Sequence, residues 1–193
     1  MSIGHDEKHN AYIIYYRQEN NGYGYFFGLS ANGTTYGSRS AFGTFTTSSA
    51  RSTCQVWCPW VEKLIVSRLH QGSNGRVNTV EYNGSNAPNT GNAISLGGNV
   101  GSHSLSIDVA NNRIYIAYTD TGSSTVDLKL MTVSGSTITA YNSATAHSSQ
   151  GHYVKSVCDS TNNKVIITFT DAGDGEKAKV RTAVYASNTS YTF

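Results

Sequence analysis

Asn112-Arg113-Ile114-Tyr115-Ile116-Ala117-Tyr118-Thr119-Asp120 decides how the chain is read. A near copy, Asn163-Lys164-Val165-Ile166-Ile167-Thr168-Phe169-Thr170-Asp171, lies downstream. Two more altered copies lie upstream, Asn10-Ala11-Tyr12-Ile13-Ile14-Tyr15-Tyr16 and Glu62-Lys63-Leu64-Ile65-Val66-Ser67-Arg68. The matching positions Ala11, Lys63, Arg113 and Lys164 are spaced by 52, 50 and 51 residues. A period held this closely makes the chain a repeat array. In each copy apolar residues fall on both parities, Ile114, Ile116 and Tyr118 on one and Tyr115 and Ala117 on the other. That pattern predicts a strand buried on both faces between neighbouring sheets.

Each copy is followed by a turn rich in Gly and small polar residues. These are Gln18–Gly22, His70–Gly75, Asp120–Ser124 and Asp171–Gly175, which is hairpin chemistry. A third strand follows, as in Leu128–Val133 and Lys179–Val184, whose alternation predicts one exposed face. A second turn then recurs at Asn32-Gly33, Asn83-Gly84 and Ser134-Gly135, each 51 residues apart. Asn-Gly favours tight hairpins because both residues accept positive φ. The fourth copy carries Tyr185-Ala186 there and has lost the signal. A short polar fourth strand follows, for example Thr137–Tyr141. A Ser/Gly/Asn loop then leads to the first strand of the next repeat, Thr53–Trp57, Ser104–Ile107 or Tyr153–Val157. Five residues before each anchor stands Asp6, Cys58, Asp108 or Asp159, and the aspartates are expected to cap the turn ahead.

Four antiparallel strands per ~51-residue unit describe a propeller blade. The expected fold is all-β, a β-propeller-type array of about four four-stranded antiparallel repeats in one repeat domain spanning 1–193. The repeats fall near 1–52, 53–103, 104–152 and 153–193. The chain opens at a turn between first and second strands and closes within a fourth-strand segment. The first and last repeats are therefore expected to be incomplete, as a fragment of a longer array, an imperfectly closed ring, or a unit completed by another chain.

Composition narrows the function classes. Only 13% of residues are charged, and the net charge is +2. That balance, without any run of Lys or Arg, gives no footprint for nucleic acid or an anionic membrane. No apolar stretch approaches the ~20 residues that span a bilayer as a helix, and residues 1–8 contain no signal-peptide core. Cys54 and Cys58 lie four apart in an extended stretch, roughly 13 Å at ~3.3 Å per residue, too far for a disulfide. With Cys158 they are expected to be free, mostly buried thiols, with a cross-repeat disulfide as the alternative, rather than a zinc site.

The segments Asp159-Ser160-Thr161-Asn162-Asn163-Lys164 through Asp171-Ala172-Gly173 and Asp108-Val109-Ala110-Asn111-Asn112-Arg113 through Asp120-Thr121-Gly122 carry a family likeness. With Val133-Ser134-Gly135 closing the following strand, they resemble repeats in structural and tail-fibre-like proteins of marine bacteriophages. The resemblance implies a propeller-like fold and a virion-surface or adhesive role, and it implies no catalytic residues.

The residues agree with that absence of chemistry. Glycoside hydrolysis needs two carboxylates flanking a sugar, and outside turns the acids considered are Glu62, Glu81 and Asp127. The sialidase-type Ser-x-Asp-x-Gly-x-x-Trp turn and the Gly-x-Ser-x-Gly elbow are both missing. The six histidines are read as lying in loops or termini, with His103 and His152 as a repeated loop position along one rim. Asp171, Asp174 and Glu176 form a Ca²⁺ candidate, against the simpler reading of a Gly-rich hairpin. Binding is expected to rest on aromatics, which stack on sugar faces. Tyr23, Tyr25, Trp57 and Trp60 are the candidates, with Tyr16 assigned to the core beside its counterparts Tyr118 and Phe169. Asn32, Asn83 and Asn188 match the N-glycosylation pattern.

The expected function is a non-catalytic structural or adhesive module, virion-borne or extracellular. Its expected partners are other chains of an assembly or further repeats of the same product, and surface glycans. No cofactor, nucleic acid or membrane insertion is expected. A stand-alone multivalent carbohydrate-binding lectin is the alternative.

Overall fold

One hairpin, used four times, shows why the strands form where they do. At its bend Asp6, Asp108 and Asp159 each accept a hydrogen bond from the backbone N–H three residues on, His9, Asn111 and Asn162, all at 3.1 Å. The next residue returns the chain to a strand through left-handed φ: +47° at Asn10, +54° at Asn112 and +53° at Asn163. Asparagine tolerates that conformation because its short amide can bond locally. The expected capping role of these aspartates is therefore observed directly. In the second repeat Cys58 replaces the aspartate, and the turn relies on Pro59, which presets φ, and on a longer backbone bond of 3.4 Å from Val61 N–H to Cys58 O. Glu62 must then take φ +52° without asparagine's local bond. Glu62→Asn is expected to raise stability by about 1 kcal/mol, read from urea unfolding. Its exposed 3.5 Å pair with Lys8 is worth little by comparison.

The computed structural model describes residues 1–17, 24–30, 40–41, 52–69, 75–82, 89–97, 99–187 and 190–193. Among these, four sheets are built from 17 strands. The first holds β1 (Ser2–Asp6), β2 (Ala11–Arg17), β3 (Gly24–Ser30) and β4 (Ser40–Ala41). The second holds β5 (Thr53–Cys58), β6 (Lys63–Arg68), β7 (Arg76–Glu81) and β8 (Asn89–Thr90), with β9 (Ile94–Ser95) also paired to β7. The third holds β10 (Val100–Asp108), β11 (Arg113–Asp120), β12 (Thr125–Ser134) and β13 (Thr137–His147). The fourth holds β14 (Gly151–Asp159), β15 (Lys164–Asp171), β16 (Lys177–Ser187) and β17 (Ser190–Thr192). Within each sheet consecutive strands pair antiparallel. One 3₁₀ turn, Ala172–Asp174, is the helical element among the described residues.

Both end repeats are four-stranded, which corrects the expectation that they are incomplete. The missing first strand is β1, Ser-Ile-Gly-His-Asp, which ends on Asp6 as β10 ends on Asp108. Its pattern is broken by Gly4, so it does not read as a strand. A Cβ at Gly4 would come within 2.7–2.9 Å of the Gln55 and Leu64 side chains of the second sheet, so glycine lets the two sheets approach closely there. The last repeat is completed by β17, registered Val184↔Thr192 and Tyr185↔Tyr191 against β16.

The described residues pack as two compact units, Met1–Ser95 with Gly135–Thr137, and Leu96–Ser134 with Ile138–Phe193. Both are cored in the same way. In the first, Ile13 and Tyr15 of β2 lie against Leu64, Val66 and Val80, with Trp57 and Tyr82 at the margin. In the second, Tyr115, Ala117, Leu128 and Leu130 lie against Val154, Val165, Ile167, Phe169, Ala183 and Tyr185. Strand β11 is buried on both faces as its sequence predicts, with Ile114, Tyr115, Ile116 and Ala117 fully buried. Strand β15 is not: Val165, Ile167 and Phe169 are buried while Ile166 is half-buried and Thr168 exposed. No disulfide joins the cysteines. Burial pushes the Cys58 thiol up to about 12 and the Cys158 thiol to about 11, which keeps both protonated and unreactive at neutral pH.

Candidate functional site

The fourth sheet gathers titratable side chains at one end, where the β15–β16 turn meets the connection from β13 to β14. Asp171 caps the 3₁₀ turn through Gly173 N–H at 2.9 Å, and Gly175 closes it at φ +64°. The Ala172 N–H donates to Gln150 O at 3.0 Å, tying turn and connection together. His147, at the end of β13, puts Nε2 2.8 Å from Asp171 Oδ2 and Nδ1 3.5 Å from an Arg181 guanidinium nitrogen. Arginine can only donate. Nδ1 is therefore the acceptor and Nε2–H the donor to the carboxylate, an assignment made from the network.

Asp171's carboxyl is held below the usual aspartate range, first by the Ser149 hydroxyl and then by His147 and the Gly173 amide, against an opposing cost of desolvation. Asp174 is held low by Lys177 at 2.8 Å and Lys179 at 2.6 Å. Asp159 is held low chiefly by the Asn162 side chain. A depressed folded-state pKa contributes stability above the ordinary aspartate value of ~3.9 and loses it as pH falls through the depressed value. Thermal melting is therefore expected to hold level at neutral pH and to drop in acid. Asp171→Asn should flatten part of that acid limb while lowering the neutral plateau.

The proposed Ca²⁺ ligands do not converge. Asp171 faces His147, and Asp174 faces two lysines. Glu176 accepts from Thr170 Oγ1 at 2.6 Å and pairs with His152 at 3.2 Å. Among the described residues no group of three His, Cys, Asp or Glu side chains is placed to hold a metal ion. Of the acids weighed for hydrolysis, Glu62 and Glu81 pair with lysines. Glu81 bonds Lys63, which holds its pKa low, and lies 3.1 Å from Lys8. Asp127 is buried in β12, where burial pushes its carboxyl up.

The histidines are corrected. His103 lies in β10 and is buried, and His152 lies in β14, half-buried, with an edge contact to Tyr153 at 6.4 Å. His5 and His147 are also in strands, β1 and β13. Strands β10 and β14 begin earlier than their apolar pattern suggests, because a β-bulge interrupts each near its start. His103 pairs across to Tyr118 and His152 to Thr170, so they do not form a repeated rim position.

The aromatic candidates divide. Trp57 packs at the margin of the first unit's core. Trp60 sits half-buried in the β5–β6 turn, its indole N–H buried without a hydrogen-bond partner. Tyr16 is half-buried, whereas its counterparts Tyr118 and Phe169 are in the core. Tyr23, the Tyr25 side chain and the glycosylation candidates Asn32, Asn83 and Asn188 lie outside the described residues.

Sequence reading missed a pair of ties between sheets. Asp108 is fully buried and accepts from the Asn111 amide N–H, from Asn111 Nδ2 at 2.8 Å and from the Tyr185 hydroxyl of the fourth sheet. In the first unit the equivalent Asp6 accepts from Tyr82 N–H of the second sheet at 2.9 Å. By strand register Tyr82 and Tyr185 occupy the same repeat position, since Leu64 pairs with Val80 as Val165 pairs with Ala183, whereas the 51-residue turn spacing sets Tyr185 against Asn83. That recurrence was the available signal.

No protein-family model matches this sequence, and no curated protein matches it. Among solved structures, part of Raptor from Chaetomium thermophilum is similar, with a TM-score of 0.53 and 12% identity. The match covers 96% of this chain and 17% of that one. At this identity the likeness concerns fold alone. The chain is all-β, built of four-stranded antiparallel sheets of propeller-blade type.

Proposed function

We propose that the chain is a non-catalytic structural or adhesive β-propeller-type module of a larger assembly, in the manner of the tail-fibre-like repeats it resembles, with a virion or extracellular setting. One observation carries this reading. The acidic groups at recurrent positions hold turns and neighbouring sheets, and those at the fourth sheet's polar end face His, Lys or hydroxyl partners, among them His147 of the third sheet. Carboxylates held in this way among the described residues serve geometry, which supports a non-catalytic reading. The test is the mass of the native particle containing the chain, by light scattering or electron microscopy. A fibre- or virion-sized particle is the expected result. A discrete particle near 20.8 kDa would overturn it.

A second reading, the multivalent lectin, draws on Trp60. The ring is half-buried, so part of an aromatic face is open to stack on a sugar. Glycan-array binding by the wild-type chain, lost in Trp60→Ala, would favour that reading.

A further inference from the structure

The two cores use one seam. In the second unit Tyr115, Ala117, Leu128 and Leu130 of the third sheet form a receiving face, and the fourth sheet covers it. The covering residues on β15 are Val165 and Ile167. In the first unit Ile13 and Tyr15 of β2 receive, and Leu64 and Val66 of β6 cover. Register makes these the same repeat positions. Ile13 pairs with Gly4 as Tyr115 pairs with Ser106, and Leu64 pairs with Val80 as Val165 pairs with Ala183. Hydrogen bonds stitch the first strands of each pair of sheets, Ser2 Oγ to Thr53 Oγ1 at 2.8 Å and Ser156 N–H to Ser104 Oγ at 3.0 Å.

Each end sheet presents one half of that seam to solvent. On the fourth sheet the positions matching Tyr115, Leu128 and Ser106 are Ile166, Val180 and Val157. Val180 is 63% exposed and Val157 58%. Val184, on the same face, is also exposed. On the first sheet the positions matching the covering Val165 and Ile167 are Tyr12 and Ile14, flanked on β1 by Ile3. Ile3 is 56% exposed and Tyr12 40%. Branched aliphatic side chains at solvent on a strand face are a marked docking feature. The face is also mixed. Thr168 and Thr182 stand where the third sheet has Ala117 and Leu130, a composition suited to a separable interface rather than a permanent core.

We infer that the exposed face of the fourth sheet receives the first sheet of a second copy of this chain, continuing the seam already used twice within each chain. This rests on the reading of the chain as a module of a larger assembly. The argument for a second copy is that the covering half of the seam is present and exposed on the chain itself. The contact is heterologous, one face meeting a different one, so it extends to a closed ring or an open row of copies.

The test is the solution mass of the purified chain by size-exclusion chromatography with light scattering. Wild type is expected at a multiple of 20.8 kDa. Val180→Lys and Ile3→Lys should each return the chain to the mass of one copy. Mixing the two variants should restore pairing, because each keeps the half that the other lacks. Both positions are exposed, and circular dichroism would verify that the variants fold. Amide exchange on the wild type reads the same faces without substitution, through concentration-dependent protection in β1, β2, β15 and β16. A wild-type mass of one copy at about 100 μM, where an interface of ~10 μM Kd is largely occupied, would overturn the inference. So would association that neither lysine disturbs. A single-copy mass alongside a large native particle would overturn the second-copy contact and leave the assembly reading intact.

Discussion

Asp108→Ala is expected to destabilise the chain by about 3–5 kcal/mol, and Asp159→Ala, at the same repeat position, by a small fraction of that. Both aspartates cap the same turn through the same pair of bonds, to the amide N–H and the side chain of the asparagine three residues on. They differ in what lies beyond. Asp108 is fully buried and also accepts from Tyr185 across the seam, while Asp159 is partly exposed on the open face. Removing a buried carboxylate leaves the Tyr185 hydroxyl, which lies in the core, without its acceptor, and an unsatisfied buried donor carries its full desolvation penalty. At Asp159 water replaces the lost acceptor. Urea unfolding of both variants, with unchanged m-values, checks the difference. Tyr185→Phe should lose part of what Asp108→Ala loses, and the double variant should be less than additive because the two share one bond. Equal losses at Asp108 and Asp159 would show that the turn alone matters and that the tie between sheets contributes nothing.

The parts of the fold legible in the sequence were those governed by local rules. The period came from the apolar second strands. The turn aspartates came from their fixed offset and from the asparagines that accept left-handed φ. Ser134-Gly135 marked the β12–β13 turn, where Gly135 takes φ +56°. What escaped was governed by contacts distant in sequence. Strand β1 was hidden because its glycine serves a close approach to Leu64 and Gln55, some 50–60 residues away. The histidines were misplaced because β-bulges shift register at the start of β10 and β14, and a bulge leaves no compositional trace there. Tyr185 looked like the loss of an Asn-Gly turn, yet β16 runs through it and its hydroxyl reaches Asp108. The His147–Asp171 contact joins residues 24 apart through the β13–β14 connection, and neither residue type announces the other. In each case the residue's role depends on a partner that only the folded sheets bring within reach.

Ile166 and Ile167 adjoin in sequence and are identical in chemistry, and their replacement by alanine is expected to give opposite readouts. Ile167 is fully buried among Val165, Phe169 and the third sheet's receiving face. Ile167→Ala removes methyl and methylene groups from a packed site that relaxes only in part, at a cost of about 2–5 kcal/mol. Ile166 points to the other face and is half-buried there. For the single chain Ile166→Ala should cost less than about 1 kcal/mol, since much of the side chain already touches water. The sequence pattern, apolar on both parities, led to the expectation that both faces of this strand are covered. That holds for β11, whose Ile114 and Tyr115 are both fully buried. It fails for β15, whose Ile166 is half-buried and Thr168 exposed. The two variants separate the possible reasons. Unfolding in dilute solution should show a large loss for Ile167→Ala and a small one for Ile166→Ala. Association at high concentration should weaken with Ile166→Ala if a second copy completes the seam. Equal and large losses in dilute solution would instead mean that the outer face of β15 is already buried in the lone chain, and the apolar residues retained on that face would then be core rather than contact.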